Sequence, residues 1–215
     1  MKIILMGPPG VGKGTQGDRL SKRFGINKIS TGDLFRYHRN QSTELGILAS
    51  NYMDKGEYVP DNVTIGMVIE SIELPENSKG FILDGFPRTI AQATALDNEI
   101  GDSGGIDLVI HMVVDREELI KRLSGRQVCR NCQAPYHTDS APSKMPGKCD
   151  LCGGRLYQRE DDRPKVVDNR LGIYSKETEP LVEYYKESGK LTEINADGTP
   201  DVVERLLISA LNGGN

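Results

Sequence analysis

Hydrophobic positions along the chain form two kinds of pattern, short continuous runs and stretches with helical spacing. The runs at residues 2–6, 80–84 and 107–114 are typical of strands buried on both faces of a parallel sheet. Shorter runs at 28–30 and 191–195 indicate two more strands. Between them, apolar residues three and four positions apart predict helices that end near Gly25 and Gly125, one that begins near Thr89, and others over about 44–54, 61–73, 165–175, 178–187 and 200–211. Alternating strands and helices predict an α/β fold of three layers, with helices on both faces of a parallel sheet.

Two stretches interrupt this alternation. Residues 31–60 contain short helical segments, the first with Thr31 as its expected N-cap, and form a small helical insert. Residues 126–163 carry all four cysteines and several Gly and Pro residues, with no helical period. The sequence therefore predicts a core of residues 1–30, 61–125 and 164–215 that carries these two inserted units.

The strongest chemical signal is the stretch GPPGVGKGT at residues 7–15, which joins the first predicted strand to the first helix. In such a phosphate-binding loop (P-loop), backbone N–H groups and a helix N-terminus surround phosphate groups, and a lysine reaches them. Thr15 follows the lysine after one extra residue, whereas the general pattern puts Ser or Thr directly after it. A P-loop fold is thus predicted, with phosphates held by Gly10, Val11, Gly12, Lys13, Gly14 and Thr15.

The cysteines form two Cys-x-x-Cys pairs, Cys129 with Cys132 and Cys149 with Cys152, separated by sixteen residues. Each pair can place two thiolates on one side of a tight knuckle, and two knuckles complete a tetrahedron suited to Zn²⁺. Because no ligand position stays open, the metal is expected to be structural. Fe²⁺ or Co²⁺ also fits four thiolates. Disulfide or redox use of the pairs is the alternative.

Composition narrows the class of protein. With 27% charged residues and a net charge of −4, the 215-residue chain resembles an ordinary globular protein rather than one that binds nucleic acid over its whole surface. No apolar run approaches the roughly 20 residues of a membrane span, and no leader pattern precedes the first strand. We expect a cytoplasmic protein without a membrane or nucleic-acid partner, and a monomer, since no feature demands more.

Four motifs together resemble the adenylate kinases, which belong to the nucleoside monophosphate kinases. These are the P-loop with its shifted Thr15, Thr31-Gly32-Asp33 followed by Arg36, Asp84-Gly85-Phe86-Pro87-Arg88 followed by Gln92, and 159–162 (REDD). The cysteine-bearing segment resembles the long lid of the family's bacterial form, and the resemblance covers nearly the whole chain. It implies the reaction MgATP + AMP ⇌ 2 ADP, with Mg²⁺ as the ion that accompanies ATP.

The resemblance also implies roles for individual residues. Arg126, Arg159 and Arg170 would close over the transferred group, Arg122 would assist near the ATP phosphates, and Asp161 and Asp162 could orient the lid arginines. Asp84 would hold Mg²⁺ through its water shell, with Thr15 near the same ion. Tyr136 either contacts the ATP base with Pro135 or packs the knuckle, and Thr199 lies where the backbone meets the adenine. The AMP site would comprise Thr31, Gly32, Arg36, Glu57, Tyr58, Val59, Gly85, Phe86, Pro87, Arg88, Gln92, Arg159 and Arg170.

Two other interpretations remain open from the sequence. Within the same class of enzyme, the acceptor could be another nucleoside monophosphate, although Gln92 and the long lid favour AMP. From another class, the cysteine knuckles could form a zinc ribbon that binds nucleic acid. Residues 126–163 contain seven basic and five acidic residues, which is a weak excess for that role.

Overall fold

The computed structural model describes residues 1–213. Within them the strands are β1 (Lys2–Met6), β2 (Asn27–Ser30), β3 (Phe81–Asp84), β4 (Leu108–Val113), β5 (Arg126–Cys129), β6 (Pro135–His137), β7 (Leu156–Tyr157) and β8 (Leu191–Asn195). The α-helices are α1 (Lys13–Phe24), α2 (Thr31–Asn40), α3 (Glu44–Met53), α4 (Asp61–Glu73), α5 (Ile90–Ile100), α6 (Arg116–Ser124), α7 (Pro164–Ile173), α8 (Leu181–Glu187) and α9 (Pro200–Gly213). A π-helical turn, Tyr174–Thr178, follows α7.

The central sheet has five parallel strands in the order β2-β3-β1-β4-β8. Leu5 of β1 lies opposite Asp84 of β3 on one side and Ile110 of β4 on the other. The carboxyl ends of these strands therefore meet at one edge, which is where ligands bind in open α/β sheets. The predicted three-layer fold, with a parallel sheet between helices, is confirmed.

The alternation of side chains along β1 divides the core into two layers. Ile3 and Leu5 pack on one face with residues of α1, α6, α7 and α9. Ile4 and Met6 pack on the other face with residues of α4, α5 and α8. All four side chains are at most 3% exposed, which makes the first strand the centre of both layers and fixes the loop that follows it.

Residues 31–60, which we call the insert, form α2 and α3 around a small apolar cluster that contains Phe35, Ala49 and Val59. Ser30, rather than the expected Thr31, caps α2, and its hydroxyl accepts from the Asp33 N–H at 3.3 Å. The helix begins one residue earlier because β2 runs directly into it.

Residues 126–163, which we call the lid, contain a small antiparallel sheet of order β6-β5-β7. One apolar cluster in it consists of Cys129, Cys149 and Leu156, with Ala134 and Tyr136 packed against them. So small an apolar cluster stabilises a unit of this size poorly without another link. Among residues 1–213, no helix is long and apolar enough to cross a membrane.

Candidate active site

The P-loop presents the unpaired end of a helix to the cleft. Gly12, the residue before α1, has a left-handed backbone and supplies no side-chain cap, and the first turn of the helix has no acidic residue. The first N–H groups of α1 and its partial positive charge are therefore available to an anion.

Lys13 folds back over this loop. Its Nζ donates to the carbonyl oxygens of Gly7 at 2.6 Å and Pro8 at 3.0 Å. Burial lowers the pKa of Lys13 to about 8, although nearby Asp84 acts in the opposite direction. A bound phosphate group would raise the pKa of Lys13 again, because its negative charge stabilises the ammonium form.

Asp84 ends β3 and faces the start of α1, and a side-chain atom built on Gly14 would lie 3.5 Å from its Oδ2. A carboxylate beside a phosphate loop is the protein ligand that Mg²⁺ commonly uses while it keeps most of its water. The residues present thus fit the ion that the sequence predicts, with Thr15 on the same lining.

Two glycines make room for two arginines on the opposite side of the cleft. A Cβ on Gly32 would lie 2.9 Å from the Arg36 guanidinium, and a Cβ on Gly85 would lie 2.8 Å from that of Arg88. Any larger residue at either position would displace a guanidinium. Arg36 is also paired with Asp33, which burial alone would make less acidic, whereas Arg36 and Lys28 lower the pKa of Asp33 to about 2.

Arg88 is held by contacts on three sides. Its Nε donates to the Gly85 carbonyl at 2.7 Å, and its guanidinium lies over the Tyr58 ring at 4.9 Å from the ring centre. The Thr178 hydroxyl donates to the Arg88 carbonyl at 2.8 Å and therefore accepts from the Tyr58 hydroxyl, also at 2.8 Å. The insert, the strand loop and the π-helical turn together fix the position of Arg88.

The lid and α7 contribute two further arginines. Arg126 forms a two-bond ion pair with the buried carboxylate of Asp162. Arg170 of α7 donates to the same carboxylate at 3.1 Å and forms an ion pair with Asp161 at 2.9 Å. Asp161 and Asp162, which we expect to orient the lid arginines, thus pair with Arg126 of the lid and with Arg170 of α7.

Within residues 1–213, Arg159 forms no such ion pair. Its buried Nε has no hydrogen-bond partner among the described residues. Burial, with the neighbouring charges of Arg36 and Arg126, lowers the pKa of Arg159 to about 9. An unpaired, crowded guanidinium is costly without a ligand, so this side of the cleft is arranged for an anion that the protein itself does not supply.

These groups meet in one cleft of about 1000 Å³. The site residues predicted from the sequence that line it are Gly10, Val11, Gly12, Lys13, Gly14, Thr15, Gly32, Arg36, Glu57, Tyr58, Asp84, Gly85, Pro87, Arg88, Arg122, Arg126, Pro135, Tyr136, Arg159, Arg170 and Thr199. An adjoining cavity of about 40 Å³ is lined by Thr31, Val59 and Gln92, among others. Phe86 lines neither space, because its side chain is 1% exposed and packs in the core.

At the lid end of the cleft, Tyr136 lines the cleft and also contacts the cysteine knuckle. Its hydroxyl donates to Cys149 Sγ at 3.4 Å and accepts from the Asp150 N–H at 2.7 Å, so it packs the knuckle. Arg122 donates to the carbonyls of Val11 at 3.4 Å and Ala196 at 3.1 Å, which ties the P-loop to the loop before Thr199.

The four cysteines converge, with all Sγ atoms within 4.8 Å of one another and several pairs 3.5 Å apart. Four thiolates at about 2.3 Å from a Zn²⁺ ion would stand roughly 3.8 Å apart, so the spacing fits a tetrahedral metal. The backbone N–H groups of Asn131 and Leu151 point at Cys129 and Cys149 Sγ, both at 3.4 Å, which suits anionic sulfur. All four thiols are free of disulfides.

Sequence reasoning missed several supporting residues. The pairing of Asp33 with Arg36 could have been found, because they are three apart on a helix. Thr178 and Asp61, which contact Arg88 and Gln92, carry no local signal, since their partners lie 90 and 31 positions away.

Known proteins resemble this chain over nearly all of its length. The family model described as adenylate kinase matches residues 5–190. An adenylate kinase of Carboxydothermus hydrogenoformans is 54% identical over 95% of each chain, and one of Archaeoglobus fulgidus is 52% identical over 94% of this chain and 93% of its own. One of Listeria innocua is 49% identical over 97% of this chain and its full length. The match spans the P-loop, both arginine groups and the four cysteines, and the chain belongs to the adenylate kinase family.

Proposed function

We propose that the protein catalyses reversible, Mg²⁺-dependent phosphoryl transfer from ATP to AMP, which gives two ADP. The observation that carries this function is the convergence of Lys13 and six arginines on a single cleft that reaches from the P-loop to the insert. Two nucleotides bring several phosphate charges together, and phosphoryl transfer depends mainly on positioning them and compensating that charge.

Each cationic group has a place in this reaction. The amides of the P-loop and Lys13 hold the terminal phosphates of ATP, and Arg36 and Arg88 hold the phosphate of AMP. Arg126, Arg159 and Arg170 stabilise charge on the transferred group, and planar guanidinium groups suit this task because they bind phosphate oxygens in pairs. No protein base is required, since the AMP phosphate oxygen is already ionised.

Mg²⁺ would be held beside the P-loop by Asp84, through its water shell, and by Thr15. The ion supplies charge neutralisation at the phosphates of ATP. On the AMP side, Thr31, Gln92 and the backbone of Gly85 and residues 57–59 would contact the adenine.

We also assign the parts of the chain. Residues 1–30, 61–125 and 164–213 form the core, and closure of the insert and the lid excludes water that would otherwise hydrolyse ATP. The four cysteines hold a structural Zn²⁺ that replaces the apolar core that the lid lacks. The protein would act in the cytoplasm as a monomer.

Phosphorylation of AMP, GMP, CMP and UMP, measured side by side with MgATP, tests this function. The highest kcat/KM is expected for AMP, with ADP as the product of both nucleotides. A higher value for any of the other three would contradict the choice of acceptor. Elemental analysis of the purified protein would identify the metal, with one zinc per chain expected.

A further inference from the structure

Asp61, the first residue of α4, contacts Gln92, which lines the smaller cavity. Gln92 Nε2 donates to Asp61 Oδ1 at 2.6 Å, and Gln92 Oε1 accepts from the Arg88 N–H at 2.8 Å. The Thr89 hydroxyl donates to the other oxygen of Asp61 at 2.8 Å. We infer that Asp61 is a positioning residue that fixes the orientation of the Gln92 amide and so sets the preference for adenine over guanine.

The two contacts permit only one orientation of the amide. A carboxylate can only accept a hydrogen bond, and a backbone N–H can only donate one. If the amide turned over, its oxygen would face the oxygen of Asp61 and its NH₂ group would face the Arg88 N–H. Because Gln92 is 1% exposed, the turned amide would lose both hydrogen bonds in a largely buried position, which is costly.

A fixed amide can complement only one purine. Each amide atom keeps capacity for one further hydrogen bond, a second lone pair on Oε1 and a second hydrogen on Nε2. At the six-position, adenine carries an amino donor and guanine a carbonyl acceptor, and the neighbouring N1 is an acceptor in adenine and a donor in guanine. An amide free to turn over could pair with either purine, whereas an amide held in one orientation accepts one and opposes the other.

This inference rests on the proposed function and predicts a change in specificity. Asp61→Asn keeps the shape of the side chain but supplies a donor as well as an acceptor, so it removes one of the two restraints. The ratio of kcat/KM for AMP to that for GMP should fall roughly three- to tenfold, the equivalent of about one hydrogen bond. In the background of Gln92→Leu, Asp61→Asn should leave the ratio unchanged, because the amide on which Asp61 acts is gone.

Thr89→Ala is the matched control, since it removes the other partner of Asp61 and a helix cap but keeps the bond from Asp61 to Gln92. It should lower the melting temperature without changing the AMP to GMP ratio. Asp61→Ala repeats the comparison if Asp61→Asn does not fold. An unchanged ratio in a folded Asp61 variant, or an equal fall in the Gln92→Leu background, would overturn the inference. Failure of the wild-type protein to phosphorylate AMP would instead refute the proposed function.

Discussion

Arg126 and Asp162 lie 36 positions apart, near the two ends of the lid, and meet in a two-bond ion pair. The side chain of Asp162 is fully buried, and the same carboxylate also accepts from Arg170 of α7. The pair therefore closes the base of the lid and joins it to the core. The negative charge of Asp162 also compensates the positive charges of Arg126 and Arg170, two of the arginines that we assign to the phosphates.

Replacement of Asp162 should show how much its carboxylate contributes to the stability of the protein. Asp162→Ala leaves the Arg126 guanidinium without its carboxylate and Arg170 with Asp161 alone, and we expect a loss of about 3 kcal/mol in the free energy of unfolding. Since phosphate groups can replace the missing charge, saturating ADP should stabilise the variant more than the wild type. Denaturant unfolding with and without ADP measures both effects.

Asp168→Ala is the matched control, because Asp168 lies on α7 with Arg170 and forms an exposed ion pair with Arg116 of α6. It should change stability by less than about 0.5 kcal/mol. Equal stabilities of the two variants would show that the pair at the base of the lid contributes nothing.

The lowered pKa of Lys13 predicts that kcat/KM for ATP depends on pH. Burial places the pKa of Lys13 near 8, below its ordinary value of 10.5, so the ammonium charge is present below pH 8 and is lost as the pH rises through that value. The kcat/KM for ATP, which reports the free enzyme, should decline above about pH 8. In the complex the phosphates raise the pKa, and the decline of kcat should begin at a higher pH.

The same titration of Lys13 should make the folded protein more stable as the pH rises, whereas kcat/KM for ATP falls. Between pH 8 and 10.5 the unfolded chain holds a proton on Lys13 that the empty folded protein has released, so this residue adds stability as the pH rises through that window. Lys13→Arg, whose guanidinium stays charged, should remove both dependences, although its activity should be low throughout. A wild-type profile for kcat/KM that stays flat from pH 7 to 9.5 would contradict the assigned role.

Removal of the metal should lower the melting temperature strongly and the catalytic activity only slightly. Because the lid has few buried apolar side chains, loss of a metal from the four cysteines should lower the melting temperature by about 10 °C. Activity measured well below that temperature should change by less than about twofold, since the metal contacts no substrate. Cys132→Ser should abolish the effect of a chelator on the melting temperature, whereas Lys144→Ala, an exposed change in the same segment, should not. Loss of activity in a chelated protein whose lid remains folded would refute a structural role.

The sequence predicts well the parts of the site whose residues lie close to one another along the chain. The P-loop, the two cysteine pairs and the strand that ends at Asp84 follow from residues within a few positions of one another. Phe86 belongs to a contiguous motif but packs in the core with residues of α4, α5 and α8, a placement that its position in the motif does not reveal. The supports of Arg88 and Gln92 come from elements that meet only in the folded protein, and no spacing in one sequence can specify them.

Substitutions at Tyr58 and Thr178 should raise the KM for AMP without changing the KM for ATP. Tyr58→Phe keeps the ring beneath Arg88 but removes the hydroxyl that bonds Thr178, whose own hydroxyl holds the Arg88 carbonyl. The loss of about 1 kcal/mol should raise the KM for AMP about fivefold. The KM for ATP should be unchanged, because the contacts lie on the AMP side of the cleft.

Two further variants separate the hydroxyl from the ring. Tyr58→Leu also removes the aromatic face, and we expect a larger rise in the KM for AMP because the interaction of the guanidinium with the ring is lost as well. Thr178→Val removes both hydrogen bonds and should match or exceed Tyr58→Phe. In the background of Thr178→Val, Tyr58→Phe should have no further effect on the KM for AMP, since the two hydroxyls act through one chain of bonds. Independent, additive effects, or equal increases in the KM values for ATP and AMP, would show that these residues support the fold in general rather than the position of Arg88.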